Sequence, residues 1–147
     1  MEPLNSLDEL SPGQEFDLGR YALPRQEVLD FAGKYDPQYF HLDEEAAKGS
    51  IFGGLVASGL HTLSSAIGHL VRSGLISRIN LAGGGMELAW PAPLPPDTEV
   101  SFTLGVVEIR PSRSKPEMGI AKLRYLLRRV DNGAVVLDAV ATHFMKR

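Results

Sequence analysis

Asp36 and His41 are the two residues of this 147-residue chain whose types and spacing best suit chemistry. They stand in the run Tyr35-Asp36-Pro37-Gln38-Tyr39-Phe40-His41, with four residues between them. A carboxylate and an imidazole brought together can hold one water between them, and imidazole changes charge near neutral pH. Such a pair can orient the water and take its proton, which is general base work. Gln38, inside the same run, offers an amide hydrogen bond. Each residue also has a plainer explanation. Asp before Pro commonly starts a turn, and a loop histidine can be satisfied by backbone. Against this, a carboxylate just past a helix C-terminus faces the unfavourable end of the dipole, so something else must hold Asp36 there.

A second constellation begins at Ala57-Ser58-Gly59-Leu60. Ser58 suits a helix N-cap. Gly59 follows it, and the backbone N–H groups at a helix start stabilise negative charge without any side chain. Glycine there either lets a ligand approach the backbone closely or allows tight helix–sheet packing. His61, in the first turn, reads as a core histidine satisfied by its neighbours, or as a lining residue of a substrate pocket. Arg110, Arg113 and Lys115 put three cations into six residues around Pro111, which would attract phosphate. The plainer alternative is a solvated hairpin loop. Among the four histidines no pair has the i, i+4 partner of a metal site, so no metal is expected.

The elements that must position these residues follow from periodicity. Phe16, Leu18 and Tyr21 alternate with polar residues and predict a short strand. Residues 24–35 carry Val28, Phe31, Ala32 and Tyr35 at helical spacing, and Asp36-Pro37 ends that helix. Residues 37–57 form a long, mostly irregular stretch with one short helix capped by Asp43. A second helix runs from Ser58 to Gly74 and is apolar around most of its circumference, which predicts burial. Strands are then expected over 78–90, 98–110, 119–130 and 134–145, with a proline-rich turn at 91–96 and an Asn132-Gly133 hairpin. Val100, Phe102, Leu104 and Val106 share one face, as do Ala121, Leu123, Tyr125 and Leu127. The four strands are expected as an antiparallel meander. The first twelve residues read as an arm outside the core.

Five strands cover a helix of that length only if the sheet curls around it. The expected fold is therefore a single α+β domain over residues 1–147, a curved antiparallel sheet wrapped around a central buried helix, which is the hotdog fold. Apolar residues make up 44% and charged residues 22%, an ordinary globular mixture. The chain has no cysteine, which excludes disulfides and thiolate metal sites. No apolar run approaches a membrane span. The acidic first dozen residues do not resemble a signal peptide, so the cytoplasm is the expected compartment. A net charge of −3 gives no reason to expect nucleic acid as a partner.

The Asp36–His41 run resembles the signature of MaoC-like (R)-specific enoyl-CoA hydratases and acyl dehydratases, commonly written Gly-Asp-x-Asn-Pro-apolar-His. Ala57-Ser58-Gly59-Leu60 and Glu87-Leu88-Ala89-Trp90, with its proline-rich sequel, are similar too. The departures are Tyr35 for the glycine, Gln38 for the asparagine and Tyr39 for the proline. The resemblance implies a coenzyme A thioester as substrate and no cofactor. It implies that Asp36 and His41 activate a water for addition to a trans-2-enoyl thioester, or its reverse. It further implies a thioester oxygen near Gly59, phosphates of coenzyme A within reach of Arg110, Arg113 and Lys115, and a homodimer or a dimer-based assembly. Two other functions compete. A hotdog thioesterase commonly places an acidic residue on the buried helix, yet residues 57–75 contain none. A non-catalytic acyl-CoA-binding protein would have no use for the Asp/His pair.

Overall fold

The computed structural model describes residues 1–147. After a 3₁₀ turn at Leu7–Glu9 come strand β1 (Glu15–Tyr21), helix α1 (Arg25–Tyr35), two short helices α2 (Tyr39–Leu42) and α3 (Glu44–Ala47), and helix α4 (Gly59–Arg72). Strands β2 (Asn80–Ala89), β3 (Val100–Pro111), β4 (Met118–Arg129) and β5 (Val135–Lys146) complete the chain. Helix ends fall where the chemistry puts them. Asp36, held before Pro37, closes α1 with its N–H on the Ala32 carbonyl at 2.9 Å. The Asp43 carboxylate accepts from the Glu45 and Ala46 N–H groups at the start of α3. Ser58 Oγ accepts from the Leu60 N–H at the start of α4. Gly74, with φ of 81°, takes the left-handed conformation that ends α4. None of the helices is long and apolar enough to cross a membrane.

The five strands form one antiparallel sheet in the order β1-β3-β4-β5-β2. Side chains alternate as expected. Val100, Phe102, Leu104 and Val106 on β3 and Ala121, Leu123, Tyr125 and Leu127 on β4 all point into the core. Thr62, Ala66 and Leu70 turn one face of α4 toward that core. The hotdog architecture expected from the sequence is present.

Three expectations need correction. The meander holds for β3, β4 and β5 only, because β2 crosses to the far edge and pairs with β5. The proline-rich segment 90–99 is the reason. It does not turn back but is tied across the end of the sheet, Ala57 N–H donating to the Leu94 carbonyl and Asp97 N–H to the Leu23 carbonyl, both at 2.8 Å. The first twelve residues are not an outlying arm, since Leu4, Leu7 and Leu10 are buried in the main core. Helix α4 is not buried all round: Leu60, Ser64, Ile67 and Val71, spaced 4, 3 and 4 residues apart, form an exposed stripe.

Leu7 is 1% exposed and packs over Gly119, whose α-carbon it approaches so closely that a β-carbon there would lie 2.6 Å from Leu7 Cδ2. Leu7→Ala should therefore lower unfolding free energy by about 3 kcal/mol, the usual cost of emptying a leucine-sized site. Urea denaturation checks this; a change below about 0.5 kcal/mol, the range of exposed surface substitutions, would restore the peripheral-arm reading.

The core also holds a polar chain. His143 Nδ1–H donates to Asn80 Oδ1 at 2.8 Å, and Nε2 accepts from the Tyr125 hydroxyl at 2.6 Å. That arrangement requires neutral imidazole, and burial pushes the His143 pKa below its ordinary value. Burial likewise lowers His61, against the opposing pull of Glu27. The unfolded chain takes up these protons near pH 6.5 while the folded chain resists, so stability falls as pH drops below about 6.5. The lowered carboxylates Asp36, Asp131 and Asp138 have no part in this window, since they titrate below the ordinary carboxylate range. Denaturation midpoints at pH 7.5 and 5.5 should differ in wild type, and His143→Gln should reduce that difference.

Candidate active site

Asp36 leaves the C-terminus of α1, and His41 sits on α2, one turn later. The element that brings them together is segment 55–58. Val56 N–H donates to the Phe40 carbonyl at 3.1 Å, and the Val56 carbonyl accepts from His41 Nδ1–H at 2.7 Å. Ser58 Oγ donates to Asp36 Oδ2 at 2.7 Å, and the Gln38 amide donates to Asp36 Oδ1 at 2.7 Å. His41 Nε2 then lies 3.3 Å from Asp36 Oδ2, with the imidazole side chain 7% exposed and the carboxylate 20%.

The hydrogen bonds define the protonation logic. With Nδ1–H committed to Val56, neutral His41 presents the bare Nε2 lone pair to the carboxylate. Burial pushes the Asp36 pKa up, but the Ser58 and Gln38 hydrogen bonds and the neighbouring His41 outweigh it, so the group lies below the ordinary carboxylate value and is ionised at neutral pH. Two acceptors therefore face each other across a short gap. A species with two protons to donate satisfies both, and water is the smallest such species.

The pair opens into a cleft of about 410 Å³. Phe40, Phe52, Leu60, Trp90 and the 91–94 segment supply an apolar lining, while Asp36, Gln38, His41 and Ser58 supply its polar end. Gly59 is at the same end. Its N–H is among the first of α4, which have no acceptor within the helix. His61 and Thr62 N–H groups turn to the Ser58 carbonyl. The Trp90 indole packs directly on the Gly59 α-carbon: a β-carbon there would lie 2.4 Å from Trp90 Cε2.

Asp36, His41, Gln38, Ser58 and Gly59 are thus brought together. His61 is not. It faces a separate, polar hollow with Tyr21, Glu27, Asp30, His69 and Arg72, stacks on Phe31 at 4.6 Å, and keeps Nε2 at 3.7 Å from a Glu27 carboxylate oxygen. Nor is it the satisfied core histidine expected, because its buried Nδ1 has no hydrogen-bond partner. Arg110, Arg113 and Lys115 line a groove at the opposite end of the sheet. Three contributors went unread in the sequence as parts of the site. The Val56 carbonyl leaves no side-chain signal. The Ser58 hydroxyl reads locally as a cap, and its bond to Asp36 spans 22 residues. Trp90, the chain's single tryptophan, was legible only as composition ahead of a proline run.

A hotdog sheet around α4, with an Asp/His pair at the helix start, defines the class. The chain belongs to the MaoC-like domain family, whose model matches residues 9–124. It is 34% identical over 115 residues to the uncharacterized protein YdeM of Bacillus subtilis, covering 78% of this chain and 80% of that one. A MaoC-like dehydratase from Rhodospirillum rubrum superposes with a TM-score of 0.89 at 40% identity, over 97% of both chains. The (R)-hydratase of A. caviae shares the fold at 23% identity, with a TM-score of 0.71 over 93% of this chain and 96% of that one. A double-hotdog protein of Mycobacterium tuberculosis matches at 22% identity and TM-score 0.75; 96% of this chain covers 44% of it.

Proposed function

We propose that the chain is an enoyl thioester hydratase, or dehydratase in reverse, acting on a trans-2-enoyl-CoA or a related acyl thioester. The observation that carries the reading is the facing pair of acceptors, His41 Nε2 and Asp36 Oδ2, at the polar end of an apolar cleft. Asp36 orients the water and His41 takes its proton. The water oxygen forms a bond to the β-carbon, the C=C π pair moves toward the thioester carbonyl, and the abstracted proton is delivered to the α-carbon. Charge that develops on the thioester oxygen meets the Gly59 N–H at the positive end of α4. A coenzyme A substrate suits a cytoplasmic protein without a bound cofactor.

The working unit in this reading is a homodimer. Strand β2 is an edge of ten residues carrying a single charge, Glu87, and its outer N–H and C=O groups lack a strand partner. The other edge is blunted: β1 has a bulge between Asp17 and Arg20, with Glu15, Asp17 and Arg20 along it. Leu81, Leu88, Trp90 and the α4 stripe expose apolar surface. A second copy across β2 satisfies those backbone groups, and the double-hotdog relative is consistent with a pair of such units.

The test is purified protein with crotonyl-CoA and longer trans-2-enoyl-CoAs, following loss of the conjugated thioester absorbance, with free thiol measured in parallel. Absorbance loss without thiol release is expected. Thiol release that survives loss of Asp36 and His41 would overturn the reading in favour of a thioesterase.

A further inference from the structure

Arg110, Arg113 and Lys115 surround the β3–β4 connection, all exposed, and none of them enters an ion pair. The connection itself is well folded. Ser112 N–H donates to the Met118 carbonyl, Met118 N–H to the Lys115 carbonyl, and Lys115 N–H to Ser112 Oγ. Three uncompensated cations on a fixed turn, lining a groove of about 380 Å³, are a site for phosphate groups.

Within one copy this site is far from the chemistry. Ile120 pairs with Phe144 beside the basic groove, whereas the cleft is lined by Val136. Eight residues of β5 separate the two positions, roughly 27 Å at ~3.4 Å per residue. The loop hangs from the end of the sheet that carries Asn80, Met118 and Lys146; the cleft opens at the end that carries Ala89 and Trp90.

The β2 edge reverses that relation. A two-fold axis joining two like edges into one sheet must run normal to it, so β2 lies antiparallel to its mate. The Asn80 end of each copy then lies beside the Ala89 end of the other. The basic loop of one copy and the cleft of its partner come to the same end of a ten-stranded sheet. Three to four strand spacings separate them, roughly 15–20 Å. The extended pantetheine and diphosphate arm of coenzyme A bridges such a gap.

We infer that Arg110, Arg113 and Lys115 of one copy hold the phosphate groups of the coenzyme A thioester whose acyl end occupies the partner's cleft. Each site is then completed in trans. This rests on the homodimer proposed above and deepens the substrate reading of the same cleft.

Trp90 is the single tryptophan and lines the cleft, so its fluorescence reports coenzyme A binding whether or not the protein turns over. Coenzyme A is titrated into wild type and into Arg113→Ser/Lys115→Ser, with pantetheine as the phosphate-free control. The double variant should bind coenzyme A about tenfold or more weakly, lose most of the salt dependence and bind pantetheine unchanged. Mixed dimers are then made by co-expression, pairing the double variant with a Trp90→Phe chain that retains the cations. Only the cleft of the double-variant subunit fluoresces, and its cations come from the partner. Wild-type affinity in the mixed dimer is the expected result.

Affinity as weak as in the double variant itself would overturn completion in trans. So would a monomer in sedimentation, or coenzyme A affinity indifferent to the substitutions. A protein that binds in trans yet hydrates nothing keeps this inference and loses the enzymatic one, while active protein without the trans effect does the reverse.

Discussion

Asp36→Asn should leave the fold standing and lower enoyl-CoA hydration about 10³-fold, within the span that one positioned acid–base group supplies. Asparagine has the same shape but one acceptor and one donor. Its amide nitrogen cannot face Gln38 Nε2, a donor at 2.7 Å from Asp36 Oδ1 in the native site. It must therefore turn toward Ser58 and His41, where it donates directly to His41 Nε2, only 3.3 Å from the native carboxylate oxygen. The substitution then removes the charge that orients the water and also occupies the lone pair that deprotonates it. His41→Ala removes the same unit from the other side, so the double variant should be little worse than either single one. Initial rates with crotonyl-CoA, with circular dichroism to verify folding, measure this. An Asp36→Asn protein retaining more than about a tenth of wild-type rate would remove the pair from the reaction.

The parts of this arrangement that were legible in sequence are those set by local rules. Helix α1 ends at Asp36 because Pro37 follows, and α4 begins at Ser58 because a hydroxyl caps it; both are short-range effects. The alternation along β3 and β4 likewise reads out directly, since one face of each strand lies in the core. What was not legible depends on contacts distant in sequence. Whether Leu4, Leu7 and Leu10 are surface or core depends on a hollow over Gly119 that no window of a dozen residues contains. The crossing of β2 to β5 depends on hydrogen bonds from the 90–99 segment to Ala57 and Leu23.

His61 shows the same limit at the site. Its position in the first turn of α4 is fixed by Ser58, but the side of the helix it occupies relative to the cleft is fixed by packing on Phe31 of α1. Helical phase separates it from the cleft: Leu60, Thr62 and Gly59 line the cleft, while His61, Ser65 and Gly68 face the other hollow. The exposed α4 stripe carries a further lesson. An all-round apolar helix predicts burial correctly, but one of its faces is left for a second copy and cannot be assigned from a single chain.

Gly59→Ala should lower turnover about 100-fold while retaining the N–H that faces the thioester oxygen in the proposed mechanism. The added β-carbon would lie 2.4 to 2.8 Å from three atoms of the Trp90 indole, so the ring or the start of α4 must move. The indole is rigid, joined to Pro91, and part of the cleft wall, and the helix start is pinned by the Ser58–Asp36 hydrogen bond. Displacement of either one misplaces the N–H or narrows the cleft. Removing the obstruction separates these roles. If glycine is needed only to admit the indole, Gly59→Ala/Trp90→Ala regains much of the lost kcat, because alanine keeps the backbone donor and the helix start relaxes to its native position. The two substitutions are then strongly non-additive, as expected for residues in contact. Lack of any rescue in the double variant, with the fold intact, would mean that the α-carbon hydrogens of Gly59 themselves admit the substrate. Near-wild-type activity of Gly59→Ala alone would remove the α4 N-terminus from the transition state and require another donor for the thioester oxygen.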